Sequence, residues 1–127
     1  MTPNIPSVLA ELAQLVARNA VPGVPDAERA SDLGLTAMLL NLASEVWDGE
    51  AQRLVEDNRA LRALLPAEGD DSDLRISKLK AENDRLRARL IEAQIEAERA
   101  GDAARQDAIW TELVRSTERR KISVSLV

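Results

Sequence analysis

The amino-acid sequence predicts an all-α protein, an up-and-down bundle of four to five helices with a long, heptad-patterned fourth helix. Ala, Leu, Glu, Arg and Gln dominate the 127 residues, and these are good helix formers. Apolar residues recur at helical spacing, and β-branched residues are sparse until the last few positions. We expect one helical domain over residues 1–121 and an extended tail over residues 122–127, where apolar and polar residues alternate.

Charge and composition narrow the function classes. The chain has 22 acidic and 17 basic residues, a net charge of −5, and residues 1–47 hold only five acids and two bases. An acidic chain of mixed charge argues against non-specific nucleic-acid binding, which needs excess cations on one surface. The N-terminus lacks the basic stretch of a signal peptide, and the uncharged run 33–44 is too short to span a bilayer. We therefore expect a cytoplasmic protein with neither nucleic acid nor membrane as a partner.

The first two predicted helices cover residues 6–19 and 26–47, approximately. Asn4 and Asp26 are suitable N-caps, and the Pro- and Gly-rich segment 21–25 separates the two helices. The stretch 33–47 is apolar nearly all round, which predicts a helix in the middle of the bundle. Asp48-Gly49 is either a helix end or a kink in one longer helix, and both alternatives stay open.

Three further helices are predicted at about 50–65, 73–100 and 103–121. Pro66 ends the first of these, an acidic loop over 66–73 follows, and Gly101-Asp102 ends the next. Segment 54–65 repeats much of segment 79–90, including the leucines and one asparagine of each. The repetition indicates either two halves of an antiparallel hairpin or chance convergence of Leu-rich helices. We expect an antiparallel hairpin across the acidic loop.

Asn83 interrupts the heptad seam of the fourth predicted helix. In a parallel two-stranded coiled coil, a buried Asn at such a position pairs with its mate and determines register. The seam is then a homodimer interface; the alternative places Asn83 on the rim of a bundle formed within one chain. Trp47 and Trp110 are either core fillers or anchors of an interface. The candidate interface residues are Leu79, Asn83, Leu86, Leu90, Trp110 and Trp47.

Side chains common in bond-making chemistry are scarce. The chain has no Cys, His or Tyr, so we expect no catalytic residues, no metal ligands and no cofactor. Paired acids such as Glu92 and Glu96 leave open the alternative of a carboxylate- and Mg²⁺-dependent small hydrolase, similar to helical nucleotide pyrophosphohydrolases. The run Arg119-Arg120-Lys121 is either a basic patch for an acidic partner or phosphate, or a set of cations that complements a helix dipole.

Three segments carry a resemblance to a known family. They are the apolar stretch 35–47, the long helix that leads to Gly101-Asp102, and the ending over 113–125. Together they resemble a family of short, uncharacterised bacterial helical proteins, encoded near aminoglycoside-phosphotransferase-like kinases and acyl-CoA dehydrogenases. Members of that family tend to end in Asn-Pro, which this chain lacks. The resemblance implies an accessory protein for a phosphotransferase–dehydrogenase pair, and it implies no catalytic residues.

These observations predict a non-enzymatic helical interaction or accessory protein that forms a homodimer and contacts a protein partner. The second possibility is the Mg²⁺-dependent hydrolase. The third is a helical bundle that binds an apolar ligand, such as an acyl chain, in a pocket near Trp47.

Overall fold

The computed structural model describes residues 4–122, and this part of the chain is helical with four α-helices. They are α1 (Ile5–Leu15), α2 (Ala27–Leu64), α3 (Ile76–Ala100) and α4 (Ala103–Arg119). A π-helical turn at Val16–Ala20 and a 3₁₀ turn at Val21–Gly23 connect α1 to α2. Within residues 4–122, no helix combines the length and the hydropathy that a membrane crossing requires. Except for Ile122, the predicted tail lies outside the described residues.

The helix starts expected from the sequence are confirmed at α1 and α2. The Oδ1 atom of Asn4 accepts a hydrogen bond from a backbone N–H of the first turn at 3.3 Å, and Asp26 Oδ1 does so at 2.8 Å. Gly101 ends α3 in the left-handed conformation at φ 65°, and Asp102 caps α4. These boundaries depend on local side chains, which explains why the sequence reveals them.

One continuous helix, α2, replaces the second and third predicted helices. Asp48-Gly49 lies inside it, and a Cβ added at Gly49 would meet nothing within 4 Å. Among the described residues, the chain divides into two compact units, one of residues 4–49 with 122 and one of Glu50–Lys121. Helix α2 contributes its first part to one unit and its second part to the other. The single domain over residues 1–121 stays a prediction.

The first unit is an antiparallel hairpin of α1 and the first part of α2. Ser44 Oγ donates a hydrogen bond to the carbonyl of Pro6 at 2.6 Å. Its buried apolar residues are Ala13 and Ala37. Ala13 lies seven residues after Pro6 and Ala37 lies seven residues before Ser44, which is the spacing expected of two antiparallel helices. The predicted central position of residues 33–47 is wrong, because Leu35 and other large side chains of this stretch are exposed. Among the described residues of this unit, α1 is the one other α-helix, and its eleven residues do not cover these side chains.

The second unit has a core of its own. It consists of the second part of α2, α3 and α4, and each helix contributes buried apolar side chains. The core residues are Leu61, Leu65, Leu86, Leu90, Ala93 and Ile109. Because these side chains lie at helical spacing on their elements, three helical faces meet along one line.

Helix α3 runs parallel to the second part of α2, so the predicted antiparallel hairpin is wrong. Asn58 donates to the carbonyl of Leu79 at 3.2 Å and accepts from Asn83 at 2.9 Å. Further along both helices, Leu65 lines a cavity together with Ala93. Contacts that advance in the same direction on both helices define a parallel pair. Residues 66–75 therefore run back along α2 before α3 begins.

The returning loop is held by charged side chains. Arg62 donates to both carboxylate oxygens of Asp71, at 2.7 and 2.9 Å, and Arg85 donates to the carbonyl of Glu68 at 3.0 Å. Gly69 has φ 132°, and a Cβ there would lie 2.9 Å from Glu82 Oε1. The acidic loop is thus packed on the helices, and Gly69 makes that close approach possible.

Helix α4 returns antiparallel to α3. Near Gly101, the side-chain amide of Gln106 donates to the carbonyl of Ala97 at 3.3 Å. At the far end, Arg87 donates to Ser116 Oγ at 2.8 Å. Contacts that move in opposite directions along the two helices show the antiparallel arrangement.

We expect Gly69→Ala to lower the free energy of unfolding by about 1–3 kcal/mol. Alanine rarely adopts the positive φ of this position, and its Cβ would also lie too close to the Glu82 carboxylate. Urea denaturation followed by circular dichroism measures the change. Gly49→Ala is the control: its helical position is open, so the free energy should rise by up to about 1 kcal/mol. Equal effects of the two substitutions would contradict the close packing of the loop.

Candidate functional site

The predicted seam residues lie inside the second unit. Leu79, Asn83, Leu86 and Leu90 are all buried, and so are their counterparts in the repeated segment of α2. The matched positions are Leu54 and Leu79, Asn58 and Asn83, Leu61 and Leu86, and Leu65 and Leu90. The repetition therefore reflects two parallel helices that present equivalent faces to each other. Because the same chain covers this seam, it is not available to a second copy in this conformation.

The two buried asparagines pair with each other at the centre of the seam. Asn83 Nδ2 donates to Asn58 Oδ1 at 2.9 Å. Asn58 Nδ2 in turn donates to Asp71 at 2.9 Å, and Asn83 Oδ1 accepts from Arg87 Nε at 2.9 Å. Asn83 is thus neither on a rim nor paired with a second chain: its mate is Asn58 of the same chain. Every polar atom of the pair has a partner, which a buried amide requires.

Two ion pairs cross between the same helices. Arg62 of α2 donates to Glu82 of α3 at 3.2 Å, and Arg87 of α3 donates to Asp57 of α2 at 3.0 Å. Each arginine lies four residues after the asparagine of its own helix, and each carboxylate lies one residue before it. Such charge pairs favour one register of two neighbouring helices.

Asp57 is the centre of a buried charge network. Its side chain is fully buried, and its oxygens accept from Arg119 Nε at 2.6 Å, Arg87 Nη2 at 3.0 Å, Arg53 Nη1 at 3.3 Å and Ser116 Oγ at 3.3 Å. A carboxylate offers about four acceptor positions, and four donors reach this one, three at Oδ2 and one at Oδ1. The network joins α2, α3 and α4 through one residue.

The surrounding arginines determine the protonation of the buried acids. Burial by itself raises the pKa of Asp57, but the hydrogen bonds and charges of Arg119 and Arg87 outweigh it and leave that pKa below its ordinary value. The hydrogen bond from Arg62 likewise holds the pKa of Asp71 below its usual range. Both acids are therefore charged at neutral pH and stabilise the fold in that form.

The three residues of the basic run Arg119-Arg120-Lys121 have different surroundings. Arg119 is bonded to Asp57 and to Glu112, so it belongs to the buried network. Lys121 pairs with Glu118 at 2.7 Å, near the C-terminal end of α4. Arg120 instead borders a cleft of about 370 Å³ that other cations also line. Of the three basic residues, Arg120 is the one that lines this cleft.

Sequence reasoning missed Asp57 and the arginines around it. Arg53, Arg87 and Arg119 look like ordinary residues of solvated helices, because they are spread over sixty-six positions of the chain. One signal was present: an acid precedes each asparagine of the repeat, Asp57 in one copy and an equivalent acid in the other. That pattern is what crossed ion pairs need.

Both tryptophans are exposed, so neither is a core filler. The exposed fraction is 55 % for Trp47 and 67 % for Trp110. Trp110 lies one turn before Leu113, which borders an apolar groove of about 190 Å³ between α3 and α4, together with Ile91 and Ile95. The role of the two tryptophans as interface anchors stays a prediction.

The carboxylates considered as metal ligands do not gather into a cluster. Within the described part of the chain, no group of three or more Asp, Glu, His or Cys side chains is placed to hold a metal ion. Glu92 and Glu96 are exposed and line a small cleft together with Arg89 and Arg105. The Mg²⁺-dependent hydrolase stays a prediction.

Comparison of the chain with protein-family models, with curated protein sequences and with solved structures finds no match.

The free energy of unfolding should fall as the pH is lowered from about 5 to about 2. The pKa values of Asp57 and Asp71 are lower in the folded chain than in the unfolded chain, where a carboxyl titrates near about 4. The two carboxylates therefore stabilise the folded chain fully above the pKa of the unfolded chain, and this stabilisation is lost as they bind protons at lower pH. Urea denaturation at a series of pH values measures the slope.

Asp57→Asn is the informative variant for this slope. It leaves several arginines without their anion, so we expect a loss of about 3–5 kcal/mol at pH 7 and a weaker pH dependence. Asp84→Asn is the control, because Asp84 and its partner Lys80 are exposed and their pair contributes about 0–1 kcal/mol. An unchanged slope in Asp57→Asn would contradict the network.

The asparagine pair makes a separate prediction. Asn83→Leu strands buried polar atoms and should cost about 1–3 kcal/mol, whereas Asn58→Leu/Asn83→Leu should cost less than the sum of the single variants by at least about 0.5 kcal/mol. Light scattering should give Asn83→Leu the same molar mass as the wild type, because its mate lies in the same chain. A changed molar mass would contradict the pairing within one chain and would support a zipper between two chains.

Proposed function

We propose that this chain is a non-enzymatic helical interaction protein that forms a homodimer through the apolar surface of its first unit. One observation carries the proposal: among residues 4–49, the buried apolar residues are two alanines, while seven large apolar side chains remain exposed. We call these seven residues the apolar stripe. They are Val8, Leu12, Leu15, Leu35, Leu39, Val46 and Trp47.

The apolar stripe has the spacing of continuous helical ridges. On α1, Leu12 and Leu15 follow Val8 by four and seven residues; on α2, Leu39 follows Leu35 by four. Residues three, four and seven apart share one face of a helix. Each helix of the hairpin thus offers one apolar ridge. Leu35 and Leu39 each lie two residues from the buried Ala37, so the ridge of α2 is on the side of that helix away from Ala37.

The charge distribution favours a second copy as the occupant. Residues 1–47 carry five acids and two bases, so this surface has few charges with which to select an oppositely charged partner. A two-fold interface places the same stripe against itself and needs no complementary surface elsewhere. Two hairpins joined in this way would form a four-helix arrangement with an apolar centre.

The energies support association. Completing the burial of seven half-exposed side chains in each of two copies contributes on the order of 10 kcal/mol. The loss of translational and rotational freedom opposes association by about 4–15 kcal/mol. The two terms are comparable, so self-association at micromolar concentration follows only if most of the stripe is covered.

The second unit supports a role as a scaffold, that is, a stable part of the chain that presents a surface to a protein partner. Its core and its charge network are complete within one chain, so it has little to gain from rearrangement on binding. It carries Trp110 on an exposed face, available to a protein partner. We include here the accessory role beside a phosphotransferase and an acyl-CoA dehydrogenase that the resemblance implies.

The apolar-ligand alternative receives less support. The apolar groove between α3 and α4 measures about 190 Å³, whereas pockets for small molecules usually measure about 300–1,000 Å³. The groove is also open along one side, bordered by Ile91, Ile95 and Leu113. A surface of this kind suits a helix ridge better than an enclosed acyl chain.

Light scattering after size-exclusion chromatography tests the dimer. We expect the wild type at about 50 μM to have twice the chain mass of 13.9 kDa, since dimers of standard interface size associate in this range. Leu35→Glu/Leu39→Glu places charges on the stripe and should have the mass of one chain. Circular dichroism checks that this variant keeps its helices.

Ile91→Glu/Ile95→Glu is the matched control. These residues are exposed, apolar and four apart like the first pair, but they lie in the second unit. The control should stay dimeric. A monomeric wild type would overturn the proposal, and so would a control that dissociates while the stripe variant does not.

A further inference from the structure

A cationic cleft lies in the second unit, and its lining is charged where that of the groove between α3 and α4 is apolar. It measures about 370 Å³ and is lined by four cations and one carboxylate, with one amide between them. The lining residues are Arg53, Lys80, Arg87, Arg120, Asp84 and Asn83. This is an unusual concentration of positive charge for a chain whose net charge is −5.

The buried Asp57 behind the cleft does not neutralise these cations fully. Its Oδ2 atom already accepts from Arg53, Arg87 and Ser116, and its Oδ1 atom accepts from Arg119. Arg120 Nη2 lies 3.7 Å from Asp57 Oδ2, beyond hydrogen-bonding distance, and its side chain is 47 % exposed. Arg120 therefore has donors that can serve a ligand.

A balance of the charges leaves one cation in excess. Three other carboxylates each neutralise one cation of the network. These pairs are Glu50 with Arg53, Asp84 with Lys80, and Glu112 with Arg119. Asp57 alone then serves both Arg87 and Arg120. Partial burial and the charge of Arg87 lower the pKa of Arg120, which is the direction expected where positive charges crowd together.

We propose that this cleft binds the phosphate group of a small molecule, held between Arg53, Arg87 and Arg120. Guanidinium groups match the oxygens of phosphate in pairs of hydrogen bonds. A phosphate dianion carries about two charges and three acceptor oxygens, more than a carboxylate offers, so it suits cations that converge from three sides. The volume of the cleft lies within the usual range for such ligands.

The donors come from separate parts of the unit. Arg53 belongs to α2, Arg87 to α3, and Arg120 follows the end of α4. Asn83 accepts a hydrogen bond from the Nε atom of Arg87, while the Nη2 atom of that arginine donates to Asp57 and to Ser116. The seam and the cleft are thus connected: the buried asparagine that aligns the helices also orients one of the three donors.

Isothermal titration calorimetry at constant ionic strength tests the cleft with two probes, inorganic phosphate and ribose 5-phosphate. The wild type should bind at least one of them with a dissociation constant below about 1 mM. Tighter binding of ribose 5-phosphate would assign the site to a phosphorylated molecule, and equal binding would assign it to free phosphate. Succinate is the carboxylate probe, and an equal affinity for succinate would overturn the phosphate assignment.

Arg120→Gln and Arg99→Gln remove the same charge at different places. Arg99 lies on α3 twelve residues beyond Arg87, away from the cleft. Arg120→Gln should weaken binding at least about tenfold, while its unfolding temperature without ligand stays unchanged or rises, because a crowded charge has been removed. Arg99→Gln should bind like the wild type. Equal binding by wild type and Arg120→Gln, or an equal loss in both variants, would overturn the proposal.

Discussion

The buried carboxylate of Asp57 constrains the whole second unit. An unpaired charge in a protein interior costs several kcal/mol, so a carboxylate with no solvent exposure must be surrounded by donors. Those donors come from all three helices: Arg53 on α2, Arg87 on α3 and Arg119 on α4. No arrangement that separates one of the helices from the others keeps the charge satisfied. The apolar core supplies most of the stabilisation, and Asp57 restricts which packing of that core is acceptable.

The polar seam restricts the register of α3 against α2. A run of leucines packs nearly equally well in several registers, whereas a pair of buried amides fits only where both find each other. Asn58 and Asn83 face each other in the observed register, and the pairs of Arg62 with Glu82 and of Arg87 with Asp57 bridge the same two helices. Parallel neighbours in one chain need a return connection, and ordering such a loop costs conformational entropy. The contacts of Arg62 with the loop residue Asp71 offset part of that cost.

The two units use their apolar residues in different ways. The second unit buries six leucines between its own helices, although Leu74 and Leu113 stay exposed, and its buried asparagines and Asp57 have hydrogen-bond partners. The first unit has as many large apolar side chains as a hairpin core would need, but it exposes Leu35, Leu39 and the rest of the apolar stripe. Since apolar surface gains free energy when it leaves water, this difference separates a self-sufficient scaffold from a surface for association. The cationic cleft adds a third kind of surface, built from the charges that the scaffold leaves in excess.

Local chemistry made the helices, their caps and their charge-poor or charge-rich character readable in the sequence. Asn4, Asp26 and Gly101 act within one turn of their own positions, so their effect needs no knowledge of the fold. The repeat around Asn58 and Asn83 was also visible, but its meaning was not, because a repeated stripe fits parallel and antiparallel pairs alike. Direction, the burial of Asp57, the exposure of residues 33–47 and the meeting of Arg53, Arg87 and Arg120 were decided by tertiary structure. Each of them depends on which distant side chains come within a few ångströms, and the free energy of such contacts belongs to pairs of segments rather than to either segment alone.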